Sequence, residues 1–254
     1  LGAFIVGQPI TDIRVGSPFV LRTVEPPLAE AQGQTVTGIR RLGKRIVFAL
    51  DGGLFIVIHL MVAGRLKWRP TGKSLRGKQV LAEFSFPAGA LYLTEAGSKR
   101  RAALHLVHGE NALAAFERGG LEVMDAPPAE FAARLRSENH TLKRALTDPR
   151  LMSGIGNAYS DEILHRARLS PLLLTSRLDE EQLVSLYAAA QATLREWTDR
   201  LRAEVGSGFP EKVTAFHEEM AVHGRFRQPC PVCGSPVQRI RYAENETNYC
   251  ARCQ

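Results

Sequence analysis

Apolar and polar positions fall into two patterns along the chain, and the change comes near its middle. Up to about residue 120 the apolar residues form short runs of strand composition: 11–15, 35–40, 45–50, 55–62, 81–86, 91–94 and 102–107. Turn signals such as Asp51-Gly52-Gly53 and Pro87-Ala88-Gly89 separate them. Short strands at this spacing predict an antiparallel sandwich or barrel. The longest apolar run, Leu54 to Ala63, holds a histidine at position 59 and reads as a buried strand, too short to span a membrane.

Beyond the breaker Ala126-Pro127-Pro128 the period lengthens to that of helices, predicted over 129–136, 141–146, 157–168 and 179–201. Asp179 with Gln182 has the form of a capping box. Leu183, Tyr187, Ala190, Leu194 and Trp197 then recur on one face and read as core. The stretch 206–210, Gly-Ser-Gly-Phe-Pro, is a flexible break. After it, 236–242 alternates as a strand, 243–246 reads as a turn and 247–249 as a second strand, a β-hairpin. The fold class expected is α+β: an N-terminal antiparallel β-sandwich over 1–120, a helical domain over 126–224 and a small C-terminal hairpin over 225–254.

All four cysteines flank that hairpin, as Cys230-Pro-Val-Cys233 and Cys250-Ala-Arg-Cys253 with sixteen residues between the pairs. Each C-x-x-C can hold an ion from a tight turn, and four thiolates suit one tetrahedral Zn²⁺. Such a site leaves no coordination position open for catalysis, so the metal is expected to be structural. Two disulfides are the rival chemistry, disfavoured by the spacing and by the lack of a visible signal peptide.

The chain of 254 residues carries a net charge of +7. That bias favours a polyanionic partner, nucleic acid before a membrane surface. Arg239 and Arg241, two apart on a strand, point to one face of the hairpin. A second stretch, Gly154-Ile155-Gly156-Asn157-Ala158-Tyr159, places two glycines before a helix expected to be capped by Asn157. Backbone N–H groups at such a helix start make a phosphate site; an ordinary helix corner without a ligand is equally compatible with the pattern.

The segment Gly154 to Glu162, followed by Ala167-Arg168-Leu169-Ser170-Pro171, resembles the helix–two-turn–helix of the formamidopyrimidine-DNA glycosylase and endonuclease VIII family. The four-cysteine hairpin ending Tyr249-Cys250-Ala251-Arg252-Cys253-Gln254 is similar to that family's zinc finger, and the order of the three parts agrees. The resemblance implies a base-excision-repair glycosylase with AP-lyase activity on oxidised bases. It would bind damaged double-stranded DNA and flip one nucleotide out of the stack, since the glycosidic carbon is unreachable inside a duplex. A monomer with no membrane attachment is implied, cytoplasmic and nucleoid-associated in a bacterium or nuclear in a eukaryote.

The family's nucleophile is the amine of an N-terminal proline, assisted by a glutamate. Leu1 matches a position about a dozen residues further in, so the sequence reads as truncated at its start. Residue by residue, the resemblance implies that Lys44 approaches a phosphate near the elimination chemistry, and that His59 meets phosphate. It implies that Lys143 lies near the damaged nucleotide, that Asn157 caps the helix beside Gly156 and contacts the backbone at the lesion, and that Tyr159 and Glu162 support this corner. By residue type alone Lys44 is a solvated turn lysine and His59 a core histidine.

Three positions depart from the family pattern. Val62, with Met61 before it, stands where a methionine fills the hole left by the flipped base. The loop that supplies an arginine and an aromatic to that hole reads Glu95 to Arg101, keeping Arg100 and Arg101 but no aromatic. Asn245 replaces the hairpin-turn arginine, leaving Arg239 or Arg241 to compensate. Family members that act on oxidised purines carry a long loop where 206–224 is compact here, so the resemblance leans towards oxidised pyrimidines or single-stranded and unusual substrates. A non-catalytic binder of distorted DNA on the same fold is the alternative, and a zinc-ribbon module for protein or RNA contacts a weaker third.

Overall fold

A computed structural model describes residues 1–97, 99–211, 216–242 and 245–254. The chain forms two compact units, Leu1–Glu117 with Ser207–Val213 and Arg118–Gly206 with Thr214–Gln254.

The first unit opens with a short helix, α1 (Gly2–Ile5), and then holds β1 (Asp12–Val15), β2 (Val36–Leu42), β3 (Arg45–Leu50), β4 (Leu54–His59), β5 (Gly64–Pro70), β6 (Val80–Phe86), β7 (Gly89–Glu95) and β8 (Ala103–His108). They make two antiparallel sheets, ordered β1-β6-β7-β5 and β2-β3-β4-β8. Their inner faces share one core, in which Phe48 of one sheet meets Phe84 of the other edge-on at 6.2 Å. Strand β4 is apolar on consecutive positions because both of its faces are covered. Ile56 and Ile58 enter the inter-sheet core, while Phe55 and Val57 lie with Val107 and Leu113 of a short helix, α2 (Glu110–Ala114). Residues of the 207–211 segment join this unit: Phe209 packs edge-on to Phe4 at 5.3 Å, and Glu211 pairs with Arg69.

The expected strand over 55–62 is two elements. β4 ends at His59, and Leu60 to Ala63 form a turn in which the Gly64 N–H donates to the Leu60 carbonyl at 2.9 Å. A Cβ on Gly64 would lie 2.3 Å from that carbonyl oxygen, so the turn closes only with glycine. Neither β5 nor α2 was anticipated from the pattern. In β5 the buried residues are Gly64 and Leu66, set among the partly exposed Arg65, Lys67, Trp68 and Arg69.

The second unit holds α3 (Pro128–Arg136), α4 (Leu142–Thr147), α5 (Asn157–Ala167), α6 (Glu180–Val205) and the hairpin β9 (Gln238–Tyr242) with β10 (Asn245–Tyr249). The capping box at Asp179 and Gln182 is formed in both directions, at 2.8 and 3.2 Å. Of the α6 stripe, Leu183 and Ala190 enter the helical core, Tyr187 and Leu194 flank it, and Trp197 packs in a separate cluster with Ala158 and Met220. Strand β10 starts at Asn245, so the expected turn over 243–246 is shorter; Ala243 and Glu244 lie outside the described residues.

Candidate nucleic-acid interface and metal centre

In the first unit, strand register gathers the singled-out residues at one end of the sandwich. Arg45 faces His59 across β3 and β4, and His59 faces Ala103 across β4 and β8. That places the Gly43-Lys44 turn, the end of β4 and the chain entering β8 side by side. On the other sheet, Gly64 faces Glu95 at the matching ends of β5 and β7. Lys44, His59, Met61, Val62, Arg100 and Arg101 therefore occupy one rim.

Three local devices shape that rim. Met61 is held at φ 54°, a left-handed conformation costly for a side chain of its size, and the turn leaves Val62 83% exposed. Arg65 Nη1 donates to the carbonyls of Val62 at 3.0 Å and Gly64 at 2.7 Å, bracing the turn from below. The Glu95 carboxylate is 2% exposed and accepts the backbone N–H groups of Arg101 and Ala102, both at 2.9 Å, which anchors the loop carrying Arg100. Lys44 is exposed, yet nearby protein withholds enough solvent to lower its ammonium pKa below the ordinary lysine value.

In the second unit the corner before α5 is built as expected around Gly154, at φ 78°, but Asn157 is not the cap. Gly156 occupies the cap position, and Asn157 is the first helical residue. Its Nδ2 donates instead to the Glu246 carbonyl of the hairpin at 2.9 Å. No side chain caps α5 and no carboxylate lies in its first turn, so the N-terminal N–H groups retain their capacity for an anion. Lys143 reaches this corner from α4: its Nζ donates to the Asn157 carbonyl at 2.7 Å and to Asp161 Oδ1 at 2.5 Å. Burial lowers its pKa and the Asp161 carboxylate opposes that shift. Tyr159 turns away, its ring tilted against Trp197 at 6.0 Å.

Arg239 and Arg241 do share a face, and Glu246 lies across from them, with Oε2 at 3.5 and 3.9 Å respectively. The Arg239 guanidinium also covers the Phe226 ring at 4.1 Å. Arg239 is thus largely committed within the hairpin, while Arg241 remains mostly exposed.

The sequence reading placed Glu162 in support of this corner but missed Asp161 and the way α5 carries the hairpin. Asp161 is 1% exposed; besides Lys143, its Oδ2 meets His223 Nδ1 at 2.7 Å and the Asn248 N–H at 3.2 Å. Glu162 accepts three successive backbone N–H groups, from Ala221, Val222 and His223, at 2.8, 2.9 and 2.9 Å. These are charge-assisted bonds in a low-dielectric joint, about twice as strong as neutral ones. Two adjacent carboxylates one residue beyond a helix's first turn were the available signal.

The four cysteine sulfurs lie within 4.8 Å of one another. Two of the spacings are 3.4 Å (Cys233 to Cys250) and 3.9 Å (Cys230 to Cys253). A tetrahedral ion with metal–sulfur bonds of about 2.3 Å places its sulfurs about 3.8 Å apart, so the donor set fits a structural metal. Without an ion the thiols share protons among themselves: hydrogen bonds from Ser235 lower Cys233, while the neighbouring thiols raise Cys253.

Comparison with known proteins finds relatives from one end of the chain to the other. Residues 1–153 match the formamidopyrimidine-DNA glycosylase N-terminal domain, 122–203 the H2TH domain of the same enzyme, and 227–254 the zinc finger found in FPG and IleRS. The chain belongs to the formamidopyrimidine-DNA glycosylase family. It is 32% identical to the formamidopyrimidine-DNA glycosylase of Thermus thermophilus, over 100% of this chain and 94% of the relative. The crystal structure of the Thermus thermophilus Fpg protein superposes with a TM-score of 0.82 at 30% identity, covering 100% of this chain and 94% of the other. A Lactococcus lactis Fpg in complex with DNA containing an abasic site superposes with a TM-score of 0.88 at 25% identity, covering 100% and 95%. Among the described residues, no helix is long and apolar enough to cross a membrane.

Proposed function

We propose that this protein is a base-excision DNA glycosylase with AP-lyase activity, acting as a monomer on oxidised bases in duplex DNA. The observation that carries the reading is the presence, in a chain of this family, of two candidate DNA-contacting surfaces, one on each unit. One is the sandwich rim of Lys44, His59, Met61, Val62, Arg100 and Arg101, and the other the α5 corner of Lys143, Gly156 and Asn157. In this reading the α5 N-terminus takes a backbone phosphate beside the lesion, and Met61 or Val62 enters the space left by the flipped base. One Zn²⁺ on Cys230, Cys233, Cys250 and Cys253 keeps Arg241 in place for a neighbouring phosphate.

The chemistry asks for a neutral amine that attacks the sugar C1′, expels the base and forms a Schiff base from which the strand is eliminated. The family resemblance assigns it to an N-terminal proline with an adjacent glutamate. Lys44 is the internal alternative, and its lowered pKa raises the fraction of free amine at neutral pH.

Borohydride trapping on a duplex with one abasic site tests the reading. The chain is run beside a version extended to its genomic start codon. A covalent adduct with the extended protein alone assigns the N-terminal amine; an adduct with both that is lost in Lys44→Ala assigns Lys44. Tight binding without an adduct from either replaces the enzyme with a non-catalytic binder of distorted DNA.

A further inference from the structure

Four residues spaced four apart along α5 and just past its end touch the hairpin module. Asn157 reaches the Glu246 carbonyl, Asp161 the Asn248 N–H, and His165 the Cys230 sulfur, while the Leu169 carbonyl accepts from Gln254 Nε2. Such spacing keeps the first three on one face of α5, and the left-handed turn at Arg168 follows before Leu169. Three of these contacts join ordinary polar groups. The fourth is different, because it ends on a metal-ligating sulfur: His165 Nε2 lies 3.4 Å from Cys230 Sγ. His165 is 7% exposed and Cys230 2%, so neither group has water as a ready substitute partner.

We infer that His165 is a positioning residue of the metal centre, donating its Nε2–H to the Cys230 thiolate and thereby tying metal retention to α5. Four thiolates on a divalent cation leave a net negative charge in a largely buried place. An N–H aimed at a ligating sulfur offsets part of that charge and fixes the thiolate's direction. The second cysteine pair is secured to the same helix end by a different route. Gln254 Oε1 accepts the Cys250 N–H at 2.9 Å while its Nε2 donates to the Leu169 carbonyl at 3.0 Å. Each C-x-x-C pair thus has its own tether to the α5 end, one through a sulfur and one through a backbone amide.

The inference rests on the zinc reading of the four cysteines and is tested on the metal rather than on DNA. Zinc release into excess chelator is followed for the wild type, His165→Phe and His165→Gln. Loss of the donor in His165→Phe is expected to speed release about 10–100-fold, and His165→Gln, which keeps a side-chain N–H, to recover part of it. Equal release from the Phe variant and the wild type overturns the inference. A second measurement needs no variant. In the wild type loaded with ¹¹³Cd, a scalar coupling is expected between the His165 Nε2-bound proton and the cadmium. A ring protonated at Nδ1 without that coupling overturns the assignment even where His165→Phe fails to fold. A purified wild type holding no stoichiometric metal overturns the zinc reading itself, a failure distinct from either.

Discussion

The sandwich rim and the α5 corner are supported in opposite ways. The sandwich rim sits on the ends of strands whose shared core is apolar, built on Phe48, Ile56, Ile58, Phe84, Leu91 and Leu93. The α5 corner and its hairpin are joined by Asp161, Glu162, His165, His223 and Asn248, groups whose desolvation is repaid only while every partner is present. An apolar core loses stability in proportion to the volume removed and can partly collapse around a gap. A buried polar joint fails when one partner is lost, because the other is left charged or unpaired. The lesson is that one surface should degrade gradually under substitution and the other abruptly.

The largest expected effect comes from the metal. Removing it with a chelator, or substituting Cys250→Ser, should release the hairpin from its base and abolish tight DNA binding while the sandwich stays folded. Structural zinc in isolated zinc-finger peptides is worth about 10–16 kcal/mol, well above the stability of a hairpin this small. Circular dichroism and thermal melts of the metal-free protein check this; loss of the sandwich transition as well would erase the contrast drawn here.

Next is Asp161→Asn, expected to cost about 3–5 kcal/mol by stranding the buried Lys143 ammonium. The double variant Asp161→Asn with Lys143→Met should regain much of it, since no buried charge is then left alone. Chemical denaturation of the two single variants and the double one would show a large coupling energy. An additive result would place the joint in the same class as the apolar core. Phe84→Ala should cost about 3–5 kcal/mol too, with little coupling to any change in the α5 joint.

A smaller effect is expected at Gly64. Alanine there pushes against the Leu60 carbonyl, for about 1–3 kcal/mol of destabilisation and a displaced Met61–Val62 tip. Melting of Gly64→Ala beside binding to an abasic duplex separates the two consequences; a variant with normal stability and binding would show that the turn can close another way. The smallest effect is at Asp148. Its hydrogen bonds to Arg150 hold the carboxyl down, to about 2 against an ordinary 3.8. A depressed acid pKa adds stability that is present above the ordinary value and fades as the pH falls towards 2. Asp148→Asn should therefore lower stability slightly at neutral pH, leave it almost unchanged near pH 2, and so flatten the acid limb of the stability curve.

Much of this architecture is legible in the sequence, and the misses have physical causes. The cysteine spacing, the Asp179 capping box and the strand runs of the sandwich act locally, so their signals lie within a few residues of one another. The turn at Leu60 to Ala63 hides because its residues are apolar. Its marker is one glycine whose need comes from a backbone contact four residues back. Asn157 misled because asparagine is a common cap, whereas here its amide is drawn to a carbonyl 89 positions away. Asp161, His165 and Glu162 look like the polar face of an ordinary surface helix. Only the fold shows that this face is buried by a hairpin arriving from the far end of the chain.

Each C-x-x-C pair has one buried and one partly exposed sulfur, Cys230 and Cys250 on the inside, Cys233 and Cys253 on the outside. The metal centre therefore has a front and a back. Chelators, competing ions and thiol reagents meet the outer pair first, while the inner pair is shielded by the helix it hangs from. Ion exchange through such a site is a one-sided process, and its rate is governed by how firmly the hidden half is held.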